Sequence, residues 1–161
     1  ERYGVRCCVV DAHPEYRAGQ AFQLQRPGRV WLADYQMGRM PPAFTDHTEP
    51  DVKRRWRIQV DRTAAIDAVF GTIRNGDIWF PTDAESIPGF FAMLMAPVRR
   101  LVPDRDGNPR GVYEEGARAD HYAHAMVYAE LAAHIGNAMP RTGVFDASRL
   151  STLGSYERDR F

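Results

Sequence analysis

The sequence predicts an α/β domain, and three observations carry that expectation. A β-favouring run at residues 5–10, a helix-like segment at 16–25 and a second β-favouring run at 29–35 follow one another closely. Strand, helix and strand within about 30 residues make a βαβ unit, which favours parallel pairing through a right-handed crossover. Farther along, Ile66, Val69, Phe70 and Ile73 form one apolar stripe at helical spacing, and Tyr122, Ala125, Met126, Ala129 and Ala133 form another. The 161 residues are one domain's worth of chain, enough to bury a core.

The first strand, Val5-Arg6-Cys7-Cys8-Val9-Val10, ends on Asp11, and Ala12-His13-Pro14-Glu15 turns into the first helix. That helix carries Ala18, Ala21 and Phe22 on one face and stops at Arg26-Pro27-Gly28. Residues 36–52 hold Gly38, Pro41, Pro42 and Pro50 without a period and read as a loop. Residues 57–60 read as a strand, with Asp61 placed to cap the helix over 62–74 that stops at Asn75-Gly76. Ile78-Trp79-Phe80 reads as a brief strand closed by Pro81. Phe90, Phe91, Leu94, Met95, Val98 and Leu101 then read as a helical core stripe, kinked or ended at Pro97. Residues 104–108 are a turn, and 110–113 return from it as a strand. The last helix opens at Asp120 and ends at Gly136-Asn137. This divides the chain into a domain over 1–139 and a polar tail over 140–161.

Composition excludes several classes of function. Apolar residues make up 44% and charged residues 26%, as in an ordinary globular domain. With 21 basic and 21 acidic side chains the formal charge is zero, so nucleic acid must be held by local patches rather than by a whole-molecule field. No apolar run approaches the roughly 20 residues that cross a bilayer, and the start is no signal peptide. Cys7 and Cys8 are adjacent and would point to opposite faces of a strand. A disulfide framework is therefore not expected, and a reduced, cytoplasmic setting is. The chain lacks an initiator Met and opens almost directly on a core strand, so it reads as a fragment of a longer protein.

Asp11 is the first candidate for chemistry, because ligands gather at the carboxyl ends of strands in open α/β sheets. The alternative is a turn or helix cap. Asp120 and His124 are the second candidates, since residues four apart stack on one helix face. Carboxylates of this kind suit Mg2+ or Mn2+. Two basic clusters are candidates for a phosphate backbone: Lys53, Arg54, Arg55 and Arg57 around Trp56, and Arg99, Arg100, Arg105 and Arg110 on the later hairpin. Phosphate loops, dinucleotide fingerprints and paired Cys-x-x-Cys motifs are missing from the sequence.

Val9-Val10-Asp11-Ala12-His13-Pro14-Glu15, Arg26-Pro27-Gly28-Arg29-Val30-Trp31-Leu32, Val60-Asp61-Arg62-Thr63 and Asp120-His121-Tyr122-Ala123-His124-Ala125 occur in an order with a familiar counterpart. The ordered set resembles the C-terminal nuclease domain of tailed-phage or prophage terminase large subunits, over about residues 5–135. The resemblance implies a ribonuclease-H-like fold with a mixed sheet flanked by helices, here truncated at its N-terminus. It also implies a DNA endonuclease that cuts concatemeric DNA with two Mg2+ or Mn2+ ions held by Asp11 and Asp120, with His124 beside them as a ligand. Two ions activate water and stabilise the leaving oxygen of a phosphodiester. A further acid on a strand upstream of residue 1, and an ATP-binding domain upstream of that, are implied as well. The implied partners are double-stranded DNA, a portal protein and a small terminase subunit, without a membrane, in the cytoplasm of a bacterial host. The alternatives are a non-catalytic DNA- or portal-docking domain of the same fold, or another ribonuclease-H-like recombinase or transposase.

Overall fold

The structure, a computed structural model, describes residues 4–46, 48–114 and 118–138. The tail expected over 140–161 lies outside the described residues. In chain order the elements are β1 (Cys8–Asp11), α1 (Tyr16–Gln25), β2 (Val30–Tyr35), β3 (Ala43–Thr45) and β4 (Arg57–Val60). They continue with α2 (Arg62–Arg74), α3 (Phe90–Leu94), β5 (Val98–Pro103), β6 (Pro109–Glu114) and α4 (His121–Ala138). The protein is mixed α/β. Its described residues fall into two compact units, one of 4–61 with 128–138 and the other of 62–127. Among them, no helix is long and apolar enough to cross a membrane.

The first unit is built on a four-stranded mixed sheet in the order β1-β2-β4-β3. β1 pairs with β2 in parallel, with Asp11 opposite Ala33, as the βαβ spacing predicts. β2 pairs with β4 in parallel, placing Asp34 opposite Gln59, while β3 runs antiparallel to β4. β3 lies inside the stretch expected to be loop. Its three residues carry no period of their own, and the ladder to β4 makes the strand. β2 is buried along most of its length, as a strand covered on both faces must be.

Side-chain alternation sorts the sheet into two faces. Leu32, Asp34, Arg57 and Gln59 share one face, by register. α1 packs there: a Cβ at Gly19 would stand 3.1 Å from Leu32, so glycine lets the helix approach. Gln23 of α1 donates to the Trp56 carbonyl at 2.9 Å, tying the helix to the entry of β4. Asp11, Trp31, Ala33 and Tyr35 share the other face, where Tyr128 of α4 meets both Asp11 and Tyr35.

In the second unit, α2 buries Ala65, Ile66, Val69 and Phe70, close to the predicted stripe. It stops where predicted, at Gly76 with φ 77°. α2 packs against β6, and Phe70 meets Tyr113 at 6.0 Å between ring centroids.

Three expectations are corrected. Residues 78–80 form no strand, and Trp79 is 92% exposed, while Phe80 joins an aromatic cluster with Phe90 and Phe91. The helical stripe expected through Leu101 ends at Leu94, and Val98–Pro103 is β5 of a hairpin with β6. Pro97 stops the helix, and the 104–108 turn returns the chain so that both strands pair. The Asp104 carboxylate accepts the backbone N–H groups of Asp106 and Asn108 in that turn, which holds its pKa below the usual value, the Asn108 bond contributing most. On α4 the buried stripe is Ala123, Val127, Leu131 and Ile135, one position round from the predicted one, leaving Ala125, Ala129 and Ala133 exposed. Burying Val, Leu and Ile removes more apolar area than burying three alanines, so the helix turns that side inward.

Candidate functional site

Asp11 closes β1 and is exposed to solvent. Both readings of this residue are met together. Its Oδ1 accepts the backbone N–H of His13 at 2.9 Å, the Asx turn expected of an aspartate before a helix. Its Oδ2 accepts the Tyr128 hydroxyl at 2.6 Å. Tyr128 stacks on Tyr35 with ring centroids 6.2 Å apart. Burial first, and then the Tyr35 and Asp11 neighbours, push the Tyr128 hydroxyl far above its ordinary pKa, so it remains a donor.

Asp120 immediately precedes α4, and its Oδ2 lies 3.1 Å from His124 Nε2, so the four-residue spacing does bring these two together. Arg62 joins them, with its Nη2 3.3 Å from the same oxygen and 3.4 Å from His124 Nε2. Its Nη1 donates to the Tyr113 carbonyl at 3.0 Å, which aims the guanidinium. The corner at Asp61-Arg62-Thr63 reads as a cap in sequence. In the fold Asp61 is buried and its Oδ2 accepts the Gly38 N–H at 2.6 Å, and Arg62 becomes the cation of the Asp120 cluster.

His124 and Tyr128 follow Asp120 at four-residue intervals along α4, beside its buried stripe. Asp11 belongs to the first unit and Asp120 to the second. Among the described residues, no three His, Cys, Asp or Glu side chains gather closely enough to hold a metal ion.

A further polar centre lies on the face of the sheet opposite Asp11. Asp34 is buried, pairs with Arg57, and has His13 Nε2 3.4 Å from its other oxygen. That contact is within ion-pair range but outside hydrogen-bond geometry, so Asp34 Oδ1 has no hydrogen-bond partner, and neither does Arg57 Nε. The two line a cleft of about 510 Å3 with His13, Glu49, Arg54 and Gln59. The sequence signals none of this: Asp34 sits in an apolar strand, 23 residues from its arginine.

The first basic cluster is divided by the fold. Arg57 is taken by Asp34 and lies over the Tyr16 ring, 5.4 Å from its centroid. Arg55 is half-buried, with its Nε donating to the Glu49 carbonyl at 2.6 Å. Lys53 and Arg54 are exposed, Arg54 only 3.7 Å from Asp51. On the hairpin, Arg99 pairs with Asp67 at 3.2 Å and Arg100 with Glu114 at 3.1 Å, Arg105 is exposed on the turn, and Arg110 is half-buried in β6.

If the first patch meets DNA, replacing Lys53 and Arg54 with alanine is expected to weaken binding equally for unrelated sequences. The log–log salt dependence should flatten by roughly 2, one phosphate contact for each cation. A filter-binding titration from low to moderate salt checks this, and an unchanged slope would assign both side chains to solvent.

The cysteines take no part in such chemistry. Burial, with Cys8 as a smaller contribution, pushes the Cys7 thiol up to about 12, leaving almost no thiolate near neutral pH. Comparison with protein-family models, with curated proteins and with solved structures finds no match to this chain.

Proposed function

We propose that the chain is the nuclease part of a DNA-packaging terminase, with a ribonuclease-H-like fold and Asp11 and Asp120 as two of its metal-holding acids. One observation carries this reading. Asp11 stands exposed at the carboxyl end of a strand in a parallel pair, oriented by two hydrogen-bond donors. The ordered set of motifs supports it too. Carboxylate oxygens are the donors that Mg2+ and Mn2+ prefer, so the residue types fit those ions. When bound, the ions would supply water activation and charge stabilisation at a phosphodiester.

In this reading the chain's own residues have distinct tasks. Asp11 and Asp120 offer oxygens to the ions, and His124 orients the Asp120 carboxylate through the contact between them. Arg62 offsets the Asp120 charge and stands ready to meet a phosphate oxygen. The exposed Lys53 and Arg54 hold the backbone without reading sequence.

The test is cleavage of supercoiled plasmid by a longer version that includes the upstream strand implied by the resemblance. Asp120→Asn is expected to abolish Mg2+- or Mn2+-dependent nicking while the circular dichroism spectrum is retained. Nicking that persists in Asp120→Asn would refute the assignment.

The Arg62–Asp120 ion pair favours a second reading, a domain of the same fold that grips DNA or a portal ring without cutting. There the acid and the arginine only hold α2, β6 and α4 together. Salt-dependent DNA binding with no cleavage at any divalent-ion concentration would support that alternative.

A further inference from the structure

We propose that Tyr128 is a positioning residue for Asp11, holding one carboxylate oxygen so that the remaining lone pairs face a divalent cation of the Mg2+ or Mn2+ kind. This rests on the nuclease reading and adds to it a residue that no motif contains. A carboxylate has about four lone-pair positions, two on each oxygen. The His13 N–H takes one on Oδ1 at 2.9 Å, and the Tyr128 hydroxyl takes one on Oδ2 at 2.6 Å. One donor on each oxygen fixes the plane of the group, and the exposed position of Asp11 leaves the other lone pairs open.

The hydroxyl is itself aimed. The Tyr128 ring is stacked on Tyr35 at 27° between planes, and Tyr35 lies on the same face of the sheet as Asp11. A rigid ring loses little entropy in holding its hydroxyl in place, unlike a long flexible side chain. Partners of this kind hold a ligating carboxylate ready for its ion, and their loss weakens metal affinity by about 10- to 100-fold.

The same contact also ties α4 to the end of β1, and a tie alone would act on stability and not on cation affinity. The experiment therefore measures both in the 161-residue chain. Mn2+ binding is followed by electron paramagnetic resonance, and thermal unfolding by circular dichroism, for the wild type, Tyr128→Phe and Asp11→Asn. Tyr128→Phe keeps the ring and removes only the hydroxyl. It is expected to weaken Mn2+ binding at least about 10-fold with an unchanged folded spectrum, and Asp11→Asn is expected to bind more weakly still.

If Asp11→Asn loses Mn2+ while Tyr128→Phe binds as the wild type does, positioning by Tyr128 is overturned and the nuclease reading stands. If Asp11→Asn binds as the wild type does, or the wild type binds no Mn2+, both are overturned. Should Tyr128→Phe fail to fold, Tyr35→Leu removes the stacked ring and keeps the hydroxyl. Weaker Mn2+ binding is expected there as well, and unchanged affinity overturns the proposal.

Discussion

Trp31→Ala is expected to destabilise the first unit by about 4 kcal/mol, the largest loss for any single truncation in this chain. Trp31 is fully buried in the middle of β2, with 0% of its surface exposed. Its ring meets Trp56 edge-on at 5.3 Å and Phe44 at 6.4 Å, and its Nε1 donates to the Gly28 carbonyl at 3.3 Å. Truncation removes the transfer free energy of a large ring and leaves a cavity between paired strands that cannot close. It also discards two edge-to-face contacts, each contributing roughly 0.5–1.5 kcal/mol. Trp31→Phe keeps most of the packing and is expected to lose roughly half as much. Urea unfolding followed by tryptophan fluorescence measures both. A loss below about 1 kcal/mol for the alanine variant would show that β2 is not the centre of the core.

The second large effect is expected at Asp34. Asp34→Ala leaves the Arg57 guanidinium without its carboxylate, on a face of the sheet covered by α1. Removing one member of a buried pair costs about 3–5 kcal/mol, because the other is left charged and uncompensated. Arg57 keeps 22% of its side-chain surface, and its guanidinium lies over Tyr16, so solvent and the ring offset part of that loss. The expected cost is therefore about 2–3 kcal/mol. Replacing both partners, as Asp34→Leu with Arg57→Met, is expected to recover most of it, since paired ions and apolar residues of similar volume are nearly equivalent in a core. A double-mutant cycle on unfolding free energies tests this. Additive losses would mean that Asp34 and Arg57 act independently. His13 sits 3.4 Å from the free oxygen of Asp34, so the same cycle should be run with His13→Ala to separate its share.

The Asp120 cluster shows how a local pattern acquires its meaning from distant chain. The four-residue spacing of Asp120 and His124 does bring their side chains together, because helix geometry depends on local sequence alone. Arg62, 58 residues away, could not be placed with them, because that contact depends on how α2 and α4 pack. Tyr128 was invisible for the same reason, being 117 residues from the carboxylate it touches. The basic cluster at 53–57 was legible as a run of charge. Which cations remain exposed was not, since Asp34 and the Glu49 carbonyl claim two of them.

By itself, the sequence determined what short-range chemistry controls. The βαβ start follows from apolar runs and a Pro-Gly stop, the end of α2 from Asn75-Gly76, and the reversal at 104–108 from residues that accept a tight turn. It also placed Asp11 at the end of a strand. Only the tertiary structure decided the elements with no period of their own. β3 exists because β4 offers it a ladder, and β5 because β6 does, since a strand's hydrogen bonds all go to a partner that may lie far along the chain. It likewise decided which side of α4 turns inward, through the volumes of Val127, Leu131 and Ile135, and so which side keeps His124 and Tyr128 half-exposed. Backbone conformation answers to neighbours in sequence, whereas a buried charge or an aimed hydroxyl answers to neighbours in space.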